Sequence, residues 1–348
     1  MRMRFKCERV FAGFLAFLLV VLSGCGGPAV APDTDPDGKT VVVATIFPLA
    51  DVARNIGGDR VEVVTLLPGG ASPHTFEPTP RQMQQVARAG VLIKVGAGLD
   101  DWADKLTEAA GNRALTVQVT EGLQLRPVGH LCAHEGGDAQ AHLPDQLCGH
   151  DHEHPCAAHH PGEDQHGPDH EHLYGDPHVW LDPLLVRDEI APRVAAALAA
   201  AAPEHADYFA ANLDAFRTQL TALDEEIARR AERLVNRYFI AYHSAWGYFA
   251  DRYGLVEVAT VEEAPGKEPS PGWIVAVVEL ARKYGAGAIF AEPQFSDRAA
   301  KVIAEEYGGR VLILDPLGDE SIPGRDGYVE LMRYNIAVIE SGLGRTTD

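Results

Sequence analysis

The sequence predicts an α/β protein of two lobes, each with a mostly parallel sheet flanked by helices, joined by one long rigid helix. Three observations carry that expectation. Short β-branched runs alternate with helical stretches of about ten residues between residues 40 and 110, the pattern of βαβ units and parallel sheets. One helical pattern then runs unbroken over residues 205–236. Beyond it the alternation of strands and helices resumes.

The elements follow in order. Residues 40–46 (TVVVATI) read as a buried strand, and residues 48–56 as a helix stopped by Gly57-Gly58. A strand over 61–66 leads into the loop PGGASPH, followed by a helix over 80–89, a strand over 91–95 and a helix over 102–110. After a histidine-rich stretch come an alanine-laden helix over 183–202 and the long helix. The second half gives strands over 238–242, 255–260, 286–291 and 311–314. Helices are expected over 246–253, from Ser270-Pro271 onward, and over 298–307 and 328–342. Ser270 is a suitable N-cap and Pro271 a suitable first helical residue. The expected organisation is therefore an N-terminal lobe over 40–204, a connecting helix over 205–235 and a C-terminal lobe over 236–348.

Composition narrows the function. Apolar residues make up 46% of the chain, which fits a globular protein. A formal charge of −20 argues against nucleic acid, which requires a basic face, and is compatible with a cation ligand. Residues 1–24 read as a signal peptide: Arg2, Arg4, Lys6 and Arg9 precede an apolar run over 10–22. That run is short of the roughly 20 residues of a membrane span. It ends in LSGC, which resembles a bacterial lipobox and implies a lipid on Cys25 after cleavage before it. Residues 25–39, rich in Gly, Pro and Asp, would tether the protein to the extracytoplasmic face of a bacterial membrane. Cys132, Cys148 and Cys156 can pair as a disulfide or serve as soft ligands; the sequence leaves both open.

Twelve of the fifteen histidines lie between His130 and Pro183. Short His-rich tracts read as metal binding, since neutral imidazole is the commonest protein ligand for zinc. Four residues at predicted strand ends or on stiff loops stand out: His74 in GASPHTFEP, His178 in DPHVWLDP, His243 after FIAY, and Asp315 after VLIL. Ligands of open α/β sheets bind outside the carboxyl ends of strands. Three imidazoles and a carboxylate would make a four-coordinate shell suited to zinc. Each has a plain alternative, a surface loop for the histidines and a turn former for Asp315. His205, after Pro203-Glu204, is expected to be exposed. Glu292 is either an acceptor for a ligand's second nitrogen or an ordinary strand-end acid, as is Glu268. Trp246, Tyr248 and Phe249 are expected in the core.

The motifs GASPHTFEPTP, DPHVWLDP, AYHSAWGYFADRYGL, EPSP, FAEPQFS and LDPLG occur in that order across residues 40–343. Together they resemble the ZnuA-like zinc-binding proteins of bacterial ABC importers, in the metal-receptor cluster of periplasmic binding proteins. The resemblance implies metal ligation by His74, His178 and His243. For the fourth position, manganese-type relatives use an aspartate where Asp315 stands, and some zinc-type relatives use water or a glutamate just before the first histidine. Pro73 occupies that place here, which favours Asp315, with water as the alternative. The resemblance also implies small lobe movement, limited by the long helix.

The expected function is capture of Zn2+ by a monomeric, lipid-anchored receptor that delivers it to an ABC importer permease, without catalysis. A manganese or ferrous iron receptor is the alternative within the family, and a zinc hydrolase the alternative outside it. No HExxH motif supports the latter, because His134-Glu135, His152-Glu153 and His170-Glu171 all fail the spacing. Residues 130–172 are expected to be an auxiliary loop that collects zinc weakly.

Overall fold

Valine alternation in β1 (Thr40–Ala44) decides how the first lobe is layered. Val42 and Ala44 join one apolar cluster while Val41 and Val43 join another, so the strand is buried on both faces. A strand in that position belongs to the interior of a parallel sheet covered on both sides. The computed structural model describes residues 38–127, 131–133, 139–141 and 175–344. The expected signal peptide, the expected tether up to residue 37 with Cys25, and most of the histidine-rich stretch lie outside the described residues, as do the side chains of Cys132, Cys148 and Cys156.

β1 is followed by α1 (Phe47–Gly57), β2 (Val61–Thr65), α2 (Pro80–Ala87), β3 (Val91–Lys94), α3 (Trp102–Ala110) and β4 (Leu115–Gln118). The four strands form an all-parallel sheet in the order β2-β1-β3-β4. α1 packs on the Val42 face, and α2 and α3 on the Val41 face. β4 was not among the expected strands. Its sequence LTVQ is half polar and its first two residues are exposed, as befits an edge strand with little apolar pattern to reveal it. A short antiparallel pair, β5 (Leu131–Ala133) and β6 (Ala139–Ala141), stands apart from the sheet.

A helical turn at Pro183–Leu185, capped by Asp182, widens into a π turn over Val186–Ile190 and continues as α4 (Ala191–Ala201). The connecting helix, α5 (Ala206–Ala231), has 26 residues, fewer than the pattern suggested. At its start Pro203–His205 form a separate 3-10 turn. His205 is half-buried with its ring against Phe209, rather than exposed. At its end the chain tightens into i→i+3 bonds, and the N–H groups of Val235 and Asn236 turn to the carbonyl of Leu343. That carbonyl closes the last helix of the chain and has no partner within it, which draws residues 232–236 out of α5.

The second lobe comprises β7 (Tyr238–Ala241), α6 (Gly247–Tyr253), β8 (Val256–Thr260), α7 (Pro271–Tyr284), β9 (Ile289–Ala291), α8 (Arg298–Tyr307), β10 (Val311–Ile313) and α9 (Tyr328–Leu343). Its sheet is again all parallel, in the order β10-β9-β7-β8. Ser270 caps α7 by accepting from the Trp273 N–H, as its position before Pro271 predicts. In β7, Phe239 and Ala241 face the cluster shared with α9, while Ile240 faces α7 and α8.

One apolar cluster is common to both lobes. It runs from Val42 and α1 through Phe216, Leu220, Leu223 and Ile227 of α5 to Phe239, Phe290 and α9. The described residues of the two lobes accordingly form one compact unit. The segment around Trp180 acts as a crossbar. Its indole N–H donates to the Pro316 carbonyl at 2.7 Å, and its own carbonyl accepts from the Tyr328 hydroxyl at 2.8 Å. A continuous core and buried polar ties of this kind oppose independent movement of the lobes.

Candidate metal centre

The crossbar also carries the first histidine of the site. Pro177 stiffens the approach to His178, which precedes a 3-10 turn at Val179–Leu181 and is 4% exposed. Asp176 fixes it twice: one carboxylate oxygen accepts both the His178 backbone N–H at 3.0 Å and ring Nδ1 at 2.8 Å. A carboxylate only accepts, so Nδ1 carries the proton and Nε2 keeps its lone pair.

His243 lies just past the C-terminal end of β7 and is 9% exposed. Its Nδ1 donates to Glu292 Oε1 at 2.8 Å, which again leaves Nε2 with the lone pair. Glu292 follows β9, the neighbour of β7, so two adjacent strand ends supply ligand and acceptor. His74 comes from the first lobe, on a 3-10 turn at Pro73–Thr75. That turn is pinned by the Trp102 indole donating to the Pro73 carbonyl at 3.2 Å.

The three rings meet at one point. Nε2 of His178 is 3.4 Å from Nε2 of His74 and 3.4 Å from Nε2 of His243, and the three ligand atoms all lie within 4.8 Å of one another. Two of these nitrogens cannot bond to each other, because both present lone pairs. Zinc–imidazole bonds of about 2.0–2.1 Å in a tetrahedron place neighbouring nitrogens about 3.4 Å apart. The two 3.4 Å spacings are those of neighbouring corners of such a tetrahedron, and a shared cation relieves the repulsion between the His178 and His243 lone pairs.

Charge acts differently on the two lobes' histidines. His74 is pulled well below its ordinary pKa of 6.5, first by burial and then by the neighbouring imidazoles of His178 and His243. For His243 burial also acts downward, but Glu292, with smaller contributions from Glu262 and Glu257, outweighs it and the net direction is upward. Glu257 is itself pushed up to about 8 by burial.

Asp315 does not join the group. One of its carboxylate oxygens accepts the N–H groups of Leu317 and Gly318 at 3.0 and 2.9 Å, and the other is held by Arg325 at 2.9 Å. It is the turn former of LDPLG, with one oxygen occupied by that turn and the other held by Arg325. The expected fourth ligand, Asp315, therefore stands outside the three-histidine group in this structure. Substituting Asp315→Asn is expected to leave metal affinity unchanged and to lower stability by about 2–3 kcal/mol, through loss of charge-assisted hydrogen bonds to a buried group. Titration calorimetry and thermal melting separate the two effects.

The other expectations divide. Glu292 is 1% exposed and accepts from a site histidine, whereas Glu268 is exposed. Trp246, Tyr248 and Phe249 are core residues, and the Tyr248 hydroxyl also donates to the Asp176 carbonyl at 3.0 Å. Asp176 and its partner Arg126 were not singled out from sequence; the signal for Asp176 was its place two residues before His178. A small cavity of about 10 Å³ adjoins the rings, lined by Pro73, His178, Trp180, His243, Glu292 and Phe295 among others. It has room for an ion or a single water. Glu292 Oε2 and Gln294 Oε1 are buried without hydrogen-bond partners among the described residues.

A family model described as zinc-uptake complex component A, periplasmic, matches residues 42–342. The high-affinity zinc uptake system protein ZnuA of Bacillus subtilis (strain 168) is 26% identical over 343 residues, covering 97% of this chain and 98% of the relative. The zinc-binding protein AdcA of Streptococcus pyogenes serotype M3 is 26% identical over 308 residues; the match covers 87% of this chain and 56% of that relative. A crystal structure of ZnuA superposes with a TM-score of 0.69 at 27% identity, covering 88% of this chain and 100% of the other. A deletion mutant of ZnuA with zinc bound superposes equally well, at 0.69 and 27%, covering 88% and 99%. The periplasmic zinc-binding protein TroA from Treponema pallidum, 22% identical with a TM-score of 0.68, shares the fold.

Proposed function

Because the chain belongs to the family of periplasmic zinc-uptake components A, we propose that it is the extracytoplasmic receptor that binds Zn2+ through His74, His178 and His243 and hands it to an ABC-type importer permease. The observation that carries this reading is the convergence of the three histidines, with His178 Nε2 at 3.4 Å from the other two Nε2 atoms and the second nitrogens of His178 and His243 held by carboxylates. Carboxylate partners of this kind fix the tautomer and raise ligand basicity. Relatives named for zinc uptake and zinc binding support the choice of ion. Three imidazole ligands also favour zinc over manganese or ferrous iron along the Irving–Williams order.

A water takes the fourth place, donating one proton to Glu292 Oε2, which is buried without another partner among the described residues. A hydrolytic role would need room for a substrate beside that water. Organic ligands occupy pockets of about 300–1,000 Å³, and the cavity here is about 10 Å³. Affinity and release, not bond cleavage, are then the function. Among the described residues no helix is long and apolar enough to cross a membrane, and the lipid on Cys25 supplies the anchor. The loop over 130–172 is auxiliary; a ZnuA deletion mutant that holds zinc supports a tight site elsewhere in the fold.

Titration of zinc into the purified mature protein, in competition with a chromogenic chelator, tests the reading. One tight site per chain with a sub-micromolar constant, undisturbed by excess manganese, is expected. Uptake no tighter than micromolar would overturn it.

A further inference from the structure

The two carboxylates that aim the histidines are not held alike. Glu292 meets no cationic partner at hydrogen-bonding distance among the described residues apart from His243 itself. Asp176 is clasped: its second oxygen accepts from Arg126 Nη1 at 3.2 Å. Arg126 in turn reaches into the other lobe. Its Nε donates to Asp251 at 2.6 Å, and its guanidinium carbon lies 5.6 Å from the centre of the Tyr248 ring. The Arg126 backbone N–H donates to the Tyr248 hydroxyl at 3.0 Å, and that hydroxyl donates to the Asp176 carbonyl. Tyr248 and Asp251 both belong to α6. The first residue of α6, Gly247, touches the pair with bare backbone: a Cβ there would fall 1.7 Å from Arg126 Nη1 and 2.9 Å from Asp176 Oδ2.

We infer that Arg126 is a positioning residue for the metal, which fixes the Asp176 carboxylate that aims His178 and ties it to α6, so that the placement of α6 sets metal affinity. The inference rests on the three-histidine site proposed above. A carboxylate held by one oxygen alone swings about a broad terminal torsion, and the ring it aims swings with it. The fork of a guanidinium removes that freedom, because it bonds two acids at fixed angles. Here the two acids belong to different lobes. Withdrawal of α6 pulls Arg126 from Asp176 and loosens His178, whose Nε2 sits between those of the other two histidines. The Asp251 side chain is 54% exposed, so this end of the chain of contacts is open to the outside. A partner that docks on α6 can thereby lower affinity without entering the site.

The test measures zinc affinity by chelator competition and the visible spectrum of the Co2+-loaded protein, for wild type and for R126Q, R126K, G247A and D251N. R126Q is expected to bind zinc about tenfold more weakly and to show an altered Co2+ band, the lower end of what loss of a ligand's hydrogen-bonding support costs. R126K keeps the charge but not the fork and should recover the affinity only in part. G247A keeps the charge but displaces it and should match R126Q, although alanine is the better helix former. D251N, a surface change that threatens folding least, should fall between wild type and R126Q. Wild-type affinity and spectrum in R126Q and D251N would overturn the inference alone. So would equal losses in R126Q and R126K with matching falls in melting temperature, since that is a structural effect. Failure of the wild-type protein to take up zinc or cobalt would instead overturn the three-histidine site.

Discussion

Replacing His178 with alanine is expected to weaken zinc binding by about two to three orders of magnitude. Structural zinc sites have apparent binding free energies of about 10–16 kcal/mol, roughly 2.5–4 kcal/mol for each of four ligands, and each 1.4 kcal/mol is about tenfold in affinity. His178 is the informative position because its Nε2 is 3.4 Å from both other Nε2 atoms. It is also the cleaner one. His178→Ala leaves Asp176 with its ion pair to Arg126, so no buried charge is orphaned. His243→Ala would strand Glu292, which is 1% exposed, and would confound binding with folding. Circular dichroism of His178→Ala should match wild type, while chelator competition records the loss. Binding within tenfold of wild type would show that the histidines do not share one ion.

Much of this was legible in sequence because it rests on local signals. β1 and β7 announce themselves as β-branched or aromatic runs, and both turned out buried on two faces. His178 could be recognised because two prolines and an aspartate surround it within a few residues. What stayed hidden depends on contacts across the chain. Nothing near LDPLG reveals that Arg325 and two backbone N–H groups consume the Asp315 carboxylate. Nothing near Arg126 reveals Asp176, fifty positions away. The end of α5 is set in the same way, by the Leu343 carbonyl that captures Val235 and Asn236 from over a hundred residues on. Helical periodicity reports which face is apolar, not where a distant acceptor ends the helix.

Substituting Glu292→Gln is expected to lower zinc affinity by about 10–100-fold at neutral pH and to move its acid limb to lower pH. Zinc and the proton compete for the same Nε2, so affinity falls as pH drops through the imidazole pKa, by about tenfold per pH unit for each imidazole that protonates. In the wild type burial favours neutral His243, but the carboxylates beside it, Glu292 foremost, more than offset it and the net direction is above 6.5. Proton competition at His243 therefore begins above the ordinary histidine range. His74, held well below 6.5 by burial and by the two imidazoles beside it, joins only at stronger acidity. Glutamine keeps an acceptor for Nδ1–H but removes the charge that counts most against burial, and desolvation then drives His243 downward. The variant should start weaker at neutral pH yet lose less affinity on mild acidification. Its binding constant, plotted against pH by chelator competition, should run flatter than that of the wild type between about pH 7.5 and 6. An acid limb at the wild-type position would mean that Glu292 orients the ring without setting its charge, and that proton competition at this site is governed from elsewhere.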